Sequence, residues 1–345
     1  MSARSLAVAV LGATGAVGRA LLAALEESDL ELALPKLYAS ERSAGLELEF
    51  RGERCRVEVL REKALPPVEL GFLAASAELS RAWAGFSREK GPLLIDLSPA
   101  FRTDPEVPLV VPEVNPEAMR AATRRALYAV PGAGAALLAL ALAPLHRAAG
   151  VRHAAVVTLE AASGGGRAGV DELEAEMRAL FALREPAAPS TLPHRLAFNV
   201  VPQSGPFAED GRSEGEKSLE LEVRRLLGSS VTVSATNLRV PIFYGHCQAV
   251  SLTTRRKLSA DEARELLRGA SGVKLLDLPQ ESVYPMPMLA VNDDAVLVGR
   301  VRETAEENGL ELFVVGDNLR RGAATGAVLL AKLLVERLAG TPGTA

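Results

Sequence analysis

The feature of this 345-residue sequence that most narrows its fold is an apolar run that ends on a glycine turn and passes at once into a helical apolar repeat. Residues 6–11 have the length and composition of a buried strand. Gly12-Ala13-Thr14-Gly15-Ala16-Val17-Gly18 is the turn, and residues 17–25 place apolar side chains at helical spacing. Strand, glycine turn and helix in this order open a doubly wound α/β sheet. Further apolar runs at 34–39, 57–60, 70–75 and 93–97 predict strands separated by crossovers. The first domain is therefore expected to be Rossmann-like, with a parallel sheet.

From residue 151 onward the pattern changes. Segments 153–159, 231–239 and 247–254 alternate or are rich in β-branched residues, which predicts an α+β domain with a largely antiparallel sheet. Helices are expected at 171–183, with Leu173, Met177, Leu180 and Phe181 on one stripe, and at 260–268 after the cap-like Ser259. The Pro- and Gly-rich stretch 185–215 reads as a long surface excursion, either a functional loop or a plain connection. A last helix over 322–338 carries Val328, Leu329, Leu333 and Leu334 on a buried face and is expected to return to the first domain. The expected domains are 1–130 completed by 318–345, and 131–317.

With 48% hydrophobic and 24% charged residues, the chain has enough apolar side chains for two cores. A formal net charge of −4 and no lysine-arginine block argue against nucleic acid as a partner. The two cysteines, Cys55 and Cys247, form no CxxC or Cys/His cluster, so no metal site and no disulfide framework is expected and a reducing cytoplasm fits. The start of the chain lacks the apolar stretch and cleavage site of a secretory signal. Residues 126–145 form an uncharged run of bilayer length, but Pro131, Gly132 and Gly134 interrupt it. The remainder, 135–145, is too short to span and reads as a buried helix, so no membrane is expected.

Between the first strand and helix, Gly12, Thr14, Gly15, Ala16, Val17 and Gly18 can hold a pyrophosphate on backbone N–H groups and a helix N-terminus. After the next strand, Ser40-Glu41-Arg42-Ser43 offers an arginine between two hydroxyls. That arrangement suits a 2′-phosphate and favours NADP over NAD, although Glu41 could accept from a free ribose and Arg42 could be a solvated loop residue. Arg102 follows the strand ending in Asp96-Leu97-Ser98, where open α/β sheets place ligands. Arg239 and His246 flank a Pro-containing segment, and a histidine so placed can exchange a proton near neutral pH.

Seven blocks in order make the resemblance specific. They are 12–18, 40–45, 96–102, Val111-Pro112-Glu113-Val114-Asn115, Ser163-Gly164-Gly165-Gly166, 239–246, and Asp317-Asn318-Leu319 with Gly322-Ala323-Ala324. Together they resemble the aspartate-semialdehyde dehydrogenase family across nearly the whole chain. The resemblance implies an NADP-binding domain, a dimerising substrate domain, and oxidation of L-aspartate 4-semialdehyde to an acyl phosphate, run in reverse in amino-acid biosynthesis. It also implies roles for single residues. Arg102 and Lys217 match phosphate-binding cations, Glu214 and Lys217 a paired Glu-x-x-Lys, Arg239 the substrate-carboxylate arginine, and His246 the acid/base. Ser163, Gly164 and Asn318 join the cofactor-binding set.

The chain departs from the family where the chemistry is done. The family's Pro-Asn-Cys-Ser-Thr is here Pro131-Gly132-Ala133-Gly134-Ala135, so Ala133 stands at the nucleophile position. A family glutamine is Glu160, a carboxylate where phosphate would come and a candidate proton carrier. Cys247 follows His246 directly and should face the other way on an extended strand. The expectation is a protein similar to the family's cysteine-less, Usg-type paralogues, binding NADP(H) and a small anionic ligand as a homodimer. A heterodimer with an active paralogue is the alternative assembly. The alternative functions are an NADP-dependent oxidoreductase acting on another carbonyl through His246 or Glu160, and a weak semialdehyde dehydrogenase.

Overall fold

Strands covered on both faces are apolar throughout, and Val8–Leu11 (β1), Leu70–Leu73 (β5) and Leu93–Asp96 (β6) are buried at every position. In the computed structural model, which describes residues 5–59, 67–119 and 127–340, these three lie inside a seven-stranded sheet. The other members are Lys36–Ala39 (β2), Glu47–Phe50 (β3), Glu53–Val59 (β4) and Leu127–Ala129 (β7), in the order β3-β4-β2-β1-β5-β6-β7. All neighbours pair in parallel except β3 with β4. Crossover helices Ala16–Glu27 (α1) and Ala77–Lys90 (α2) follow β1 and β5. Of the expected segments, Leu60 and Ala126 lie outside the described residues.

The second sheet has six strands: Val151–Glu160 (β8), Thr232–Arg239 (β9), His246–Thr254 (β10), Val273–Leu275 (β11), Val296–Glu303 (β12) and Gly309–Gly316 (β13). Their order is β11-β12-β13-β10-β8-β9, antiparallel except for β8 with β9 and β11 with β12. The helices are Ala133–Ala149 (α3), Gly166–Phe181 (α4), Glu214–Leu227 (α5), Ala260–Arg268 (α6), the one-turn Pro287–Ala290 (α7) and Thr325–Gly340 (α8). The chain divides into two compact units, Met1–Gly132 with Ala323–Ala345, and Ala133–Gly322. Helix α8 packs on α1 within the first, adding Ala327, Leu330, Ala331 and Leu334 to its core.

Several elements differ from the sequence expectation for physical reasons. Helix α3 extends the expected 135–145 at both ends and accommodates Pro144, because its alanines and leucines are buried almost all round. Helix α4 starts at Gly166 rather than 171, since glycines that look like a loop serve packing. A Cβ on Gly169 would lie 2.6 Å from the Ala162 carbonyl oxygen. Helix α5 was not expected at all. Its start is a capping box in which Ser213 and Glu216 satisfy one another's backbone N–H groups, and Leu219, Val223 and Leu226 form its buried stripe. Before α8, Arg320–Ala324 is a π turn, so the regular helix begins three residues later than expected.

Candidate active site

Three strands of the second unit carry the charged residues singled out in the sequence to one row. Strand β8 pairs β9 with Glu160 opposite Arg239, and pairs β10 with Leu159 opposite Cys247, which sets His246 alongside Glu160. The Glu160 carboxylate accepts from Ser204 Oγ at 2.8 Å, from Asn237 Nδ2 at 3.0 Å and from Thr158 Oγ1 at 3.5 Å. Arg239 Nη2 lies 3.6 Å from the same carboxylate, and both side chains are only 12% exposed. The guanidinium is otherwise held by one long bond from Nη1 to the Ala161 carbonyl, 3.4 Å. Arg239 is thus beside its counter-ion without being clasped by it, and donors of its fork stay available.

His246 is buried, and its Nδ1 has no hydrogen-bond partner among the described residues. Burial holds the imidazole below its usual pKa against the opposing pull of the Glu160 charge, so the ring is neutral at pH 7. Gly164 leaves the space these groups use. A Cβ there would come within 2.8 Å of Arg239 Nη1 and 3.4 Å of His246 Cε1. The turn bearing Gly164 is fixed from both sides. Ser163 Oγ donates to Asn318 Oδ1 at 3.0 Å, and the Gly245 N–H donates to the same oxygen at 3.1 Å. Asp317 in turn accepts the N–H groups of Asn292, Leu319 and Arg320. Ser163 and Asn318 therefore hold the site together whatever else they bind.

Beside this row lies the start of α3. Ala133 is its first residue, and Gly322 packs so closely that a Cβ on it would be 2.5 Å from the Ala133 Cβ. Gln248, two residues after His246 and on the same face of β10, donates from Nε2 to the Gly134 carbonyl at 2.8 Å. Cys247 faces the other way. It packs with Ala290, Leu297 and Val315, and burial pushes its thiol up to about 12. Cys55 is likewise buried, on β4 of the first unit.

The excursion before α5 contributes residues that no local motif announced. Glu172 and Glu176, one turn apart on α4, reach across to it. Glu172 accepts from Ser190 N, Ser190 Oγ, Thr191 N and Leu192 N, and Glu176 accepts from Leu196 N and Ala197 N. So anchored, the excursion delivers Ser204 to Glu160 and packs Gly205, with φ +85°, over Glu214. Glu214 and Lys217 lie in the first turn of α5, where Lys217 pairs with Asp210 at 3.1 Å.

In the first unit the glycine turn has the form of a phosphate cradle. Gly12 has φ +82°, and a Cβ there would be 2.2 Å from the Ala74 carbonyl oxygen. One on Gly18 would be 2.1 Å from the Gly12 carbonyl oxygen. Helix α1 begins at Ala16 with no acidic residue in its first turn, so its free N–H groups meet no internal anion. Thr14 Oγ1 donates to Ser43 Oγ at 3.1 Å, which brings the turn to the 40–43 segment, where Ser40 and Arg42 are exposed. These residues fit a dinucleotide. Arg102 also belongs to this unit, and its Nη2 donates to the Leu97 carbonyl at 2.9 Å. The loop between them is built on Asp96, which accepts from Ser98 N and Ser98 Oγ; burial raises its carboxyl to about 6 against those bonds and the nearby Arg102 charge.

The sequence profile of the semialdehyde dehydrogenase NAD binding domain matches residues 7–122, and that of the dimerisation domain matches 142–321. The chain belongs to the semialdehyde dehydrogenase family. An aspartate-semialdehyde dehydrogenase of Aquifex aeolicus is 40% identical over 95% of this chain and 98% of its own length. One of Synechocystis is 39% identical over 96% and 97%. Among solved structures, the aspartate-semialdehyde dehydrogenase II of Vibrio cholerae, complexed with ASA, superposes with a TM-score of 0.93 at 36% identity. The match covers 97% of this chain and 99% of that one. The family's two-domain fold, a mostly parallel nucleotide-binding sheet and a mostly antiparallel dimerisation-domain sheet, is the fold described above. Among the described residues, no helix is long and apolar enough to cross a membrane and no group of acidic, histidine or cysteine residues is arranged to hold a metal.

Proposed function

We propose that this protein is a semialdehyde dehydrogenase-family member that binds NADP(H) and a small carboxylate ligand but has lost the parent phosphorylating reaction, in the manner of the family's Usg-type paralogues. The observation that carries this reading is a methyl group, Ala133, at the start of α3, beside an Arg239–Glu160–His246 row that is otherwise assembled. An aldehyde carbon has no hydride to give until something adds to it, and a thiol makes that addition and then holds the acyl group for transfer. The remaining cysteines offer no replacement, since Cys247 is turned into the core and its thiol stays protonated. Loss of a nucleophile from an intact site costs on the order of 10⁴ to 10⁶ in turnover.

A bound nicotinamide dinucleotide would supply the hydride acceptor or donor. The protein's part is to hold it, through backbone N–H groups of residues 12–18, Thr14 and Ser43, with the exposed Arg42 favouring a 2′-phosphate. Assembly as a homodimer fits the dimerisation-domain match and the exposed outer face of the second sheet, where Val157, Met286 and Phe313 line a groove of about 730 Å³. Titration calorimetry is expected to show NADPH binding, and phosphate-dependent NADP reduction with L-aspartate 4-semialdehyde is expected to stay at background. Turnover above background overturns the inactive reading, and no NADPH binding overturns the cofactor half.

A second reading is favoured by the neutral His246 ring, whose buried Nδ1 has no hydrogen-bond partner among the described residues. Hydride transfer to a carbonyl without a covalent step needs a group that exchanges one proton, and this imidazole can do so. A screen of small carbonyl compounds with NADPH tests it, with His246→Ala as the control that must abolish any rate.

A further inference from the structure

Strand β12 carries a residue that its backbone does not favour. Between Gly299 and Arg302 the pairing with β13 slips, so that Arg300 and Val301 stand against one residue of β13. Arg300 has φ +55°, the left-handed region that glycine enters freely and a larger residue enters under strain. The bulge is nonetheless fixed from several sides. Asp277, whose side chain is 1% exposed, accepts from the Arg300 N–H at 2.6 Å and the Val301 N–H at 3.2 Å, and pairs with Arg264 Nε at 2.7 Å. Arg264 Nη2 donates onward to the Val301 carbonyl at 2.5 Å. A Cβ on Gly299 would lie 2.0 Å from the Leu276 carbonyl oxygen, so the strand is held close there as well. Strain that its surroundings over-determine in this way marks a side chain in use. Arg51 is the other arginine with positive φ among the described residues, and its use is plain, because Nη2 donates to the carbonyls of Leu25, Ser28 and Leu30 after α1. Arg300 differs. Its backbone N–H meets Asp277 and its carbonyl accepts from Arg302 Nη1 at 3.0 Å, but its guanidinium has no hydrogen bond or ion pair among the described residues.

The bulge sets Arg300 on the wall of the groove on the outer face of the second sheet, with Val157, Tyr284, Met286, Glu311 and Phe313. Around the groove the exposed residues of β8 and β10 are short, Ala155, Ala249 and Ser251 among them, which leaves a low face suited to another of the same kind. Its five longer strands have eight to ten residues each. At about 4.8 Å between strands and about 3.4 Å per residue they present about 650 Å², close to the roughly 800 Å² that each partner of a stable dimer buries. In a two-fold dimer each copy receives what it gives, so a guanidinium on the groove wall of one copy meets the groove of the other. There the Tyr284 ring offers a face for stacking. Glu311 is engaged by Arg302 through Oε2 and keeps further acceptor sites. We propose that Arg300 is the residue by which two copies of this chain dock: the β12 bulge holds it in a strained backbone so that its guanidinium enters the groove of the second copy. The inference rests on the homodimer reading and deepens it by naming the side chain that decides the pairing.

The test is sedimentation equilibrium of the full chain, unaltered and as Arg300→Gly, Arg300→Ala and Val157→Glu. Arg300→Gly relieves the backbone while removing the side chain, so the dimer dissociation constant should rise at least about tenfold with the fold retained. Circular dichroism and slow exchange of the Val301 amide, which Asp277 holds, read the fold. Arg300→Ala keeps the strain and should weaken the dimer as much, and it carries the test if the glycine variant does not fold. Arg300→Gly should also melt above Arg300→Ala, the reverse of the order at an ordinary strand position, and the ordinary order would overturn the strained bulge. Val157→Glu places a charge on the groove floor and should leave monomers. An unaltered chain that sediments as a monomer overturns the homodimer reading and the inference with it. A dimer that Val157→Glu breaks but neither Arg300 variant weakens overturns the role of Arg300 alone. A dimer that none of the three weakens lies on another face, which overturns the proposal while the homodimer reading stands.

Discussion

The start of α3 and the row of strand ends on β8, β9 and β10 belong to the same unit, yet they differ in how their chemistry is tied to their structure. In and around the row, several polar groups also hold something in place. Glu160 receives Ser204 and Asn237, and Asn318 receives Ser163 and the Gly245 N–H. Removing one leaves buried partners unsatisfied, at about 1–3 kcal/mol each. Position 133 bears no such duty. Its side chain is a methyl group that faces Gly322, where a Cβ on the glycine would lie 2.5 Å from it. A side chain that supports nothing else can be exchanged without loss of fold, whereas groups with two jobs are tied to it.

The sharpest way to break this contrast is to place a thiol at position 133. Gly132→Asn with Ala133→Cys is expected to give phosphate-dependent NADP reduction at least about 100-fold above the unaltered chain. Rate measurements should be paired with thiol labelling to show that the new sulfur is reachable. A labelled, folded double variant with no rate would mean that the row itself is no longer competent, with Glu160 the first suspect. Next in size is Gly164→Ala. Its Cβ would press on the Arg239 guanidinium, the movable end of a side chain, and Gly164 has no positive φ to strain. Ligand affinity should therefore fall about tenfold while stability changes by less than about 1 kcal/mol. A stability loss as large as the affinity loss would show that the row is structural only.

Much of this was readable in the sequence, though unevenly. The glycine turn announced itself because only glycine fits where a Cβ would meet the Ala74 carbonyl, and the alternation of β10 set His246 and Cys247 on opposite faces. The partners of Glu160 were not readable. Ser204 lies 44 residues away in an irregular stretch, and nothing local marks a serine that will meet a carboxylate after folding. Helix α5 is hard to read from sequence although Ser213 and Glu216 spell a capping box, because the prolines and glycines before it mask the start of the periodic segment. Glu172 and Glu176 lie off the Leu173, Met177, Leu180 and Phe181 stripe, and only the folded excursion supplies their partners.

Those two glutamates give the smallest expected effect and a direct reading of how the excursion is held. Partial burial works against ionisation of Glu172, but its four donors outweigh it and pull the carboxyl down to about 2. Its folded value thus lies below the unfolded value of about 4.3, so the folded state favours the ionised form. The stabilisation is complete above that unfolded value and fades as pH falls toward 2. Glu172→Gln keeps one acceptor and loses the charge, which after allowance for solvent screening should cost about 1–2 kcal/mol at pH 7. Denaturant melts of both proteins should converge between pH 4.5 and 2. An unchanged melt at neutral pH would detach the excursion from the glutamates, and with it the claim that α4 positions the site.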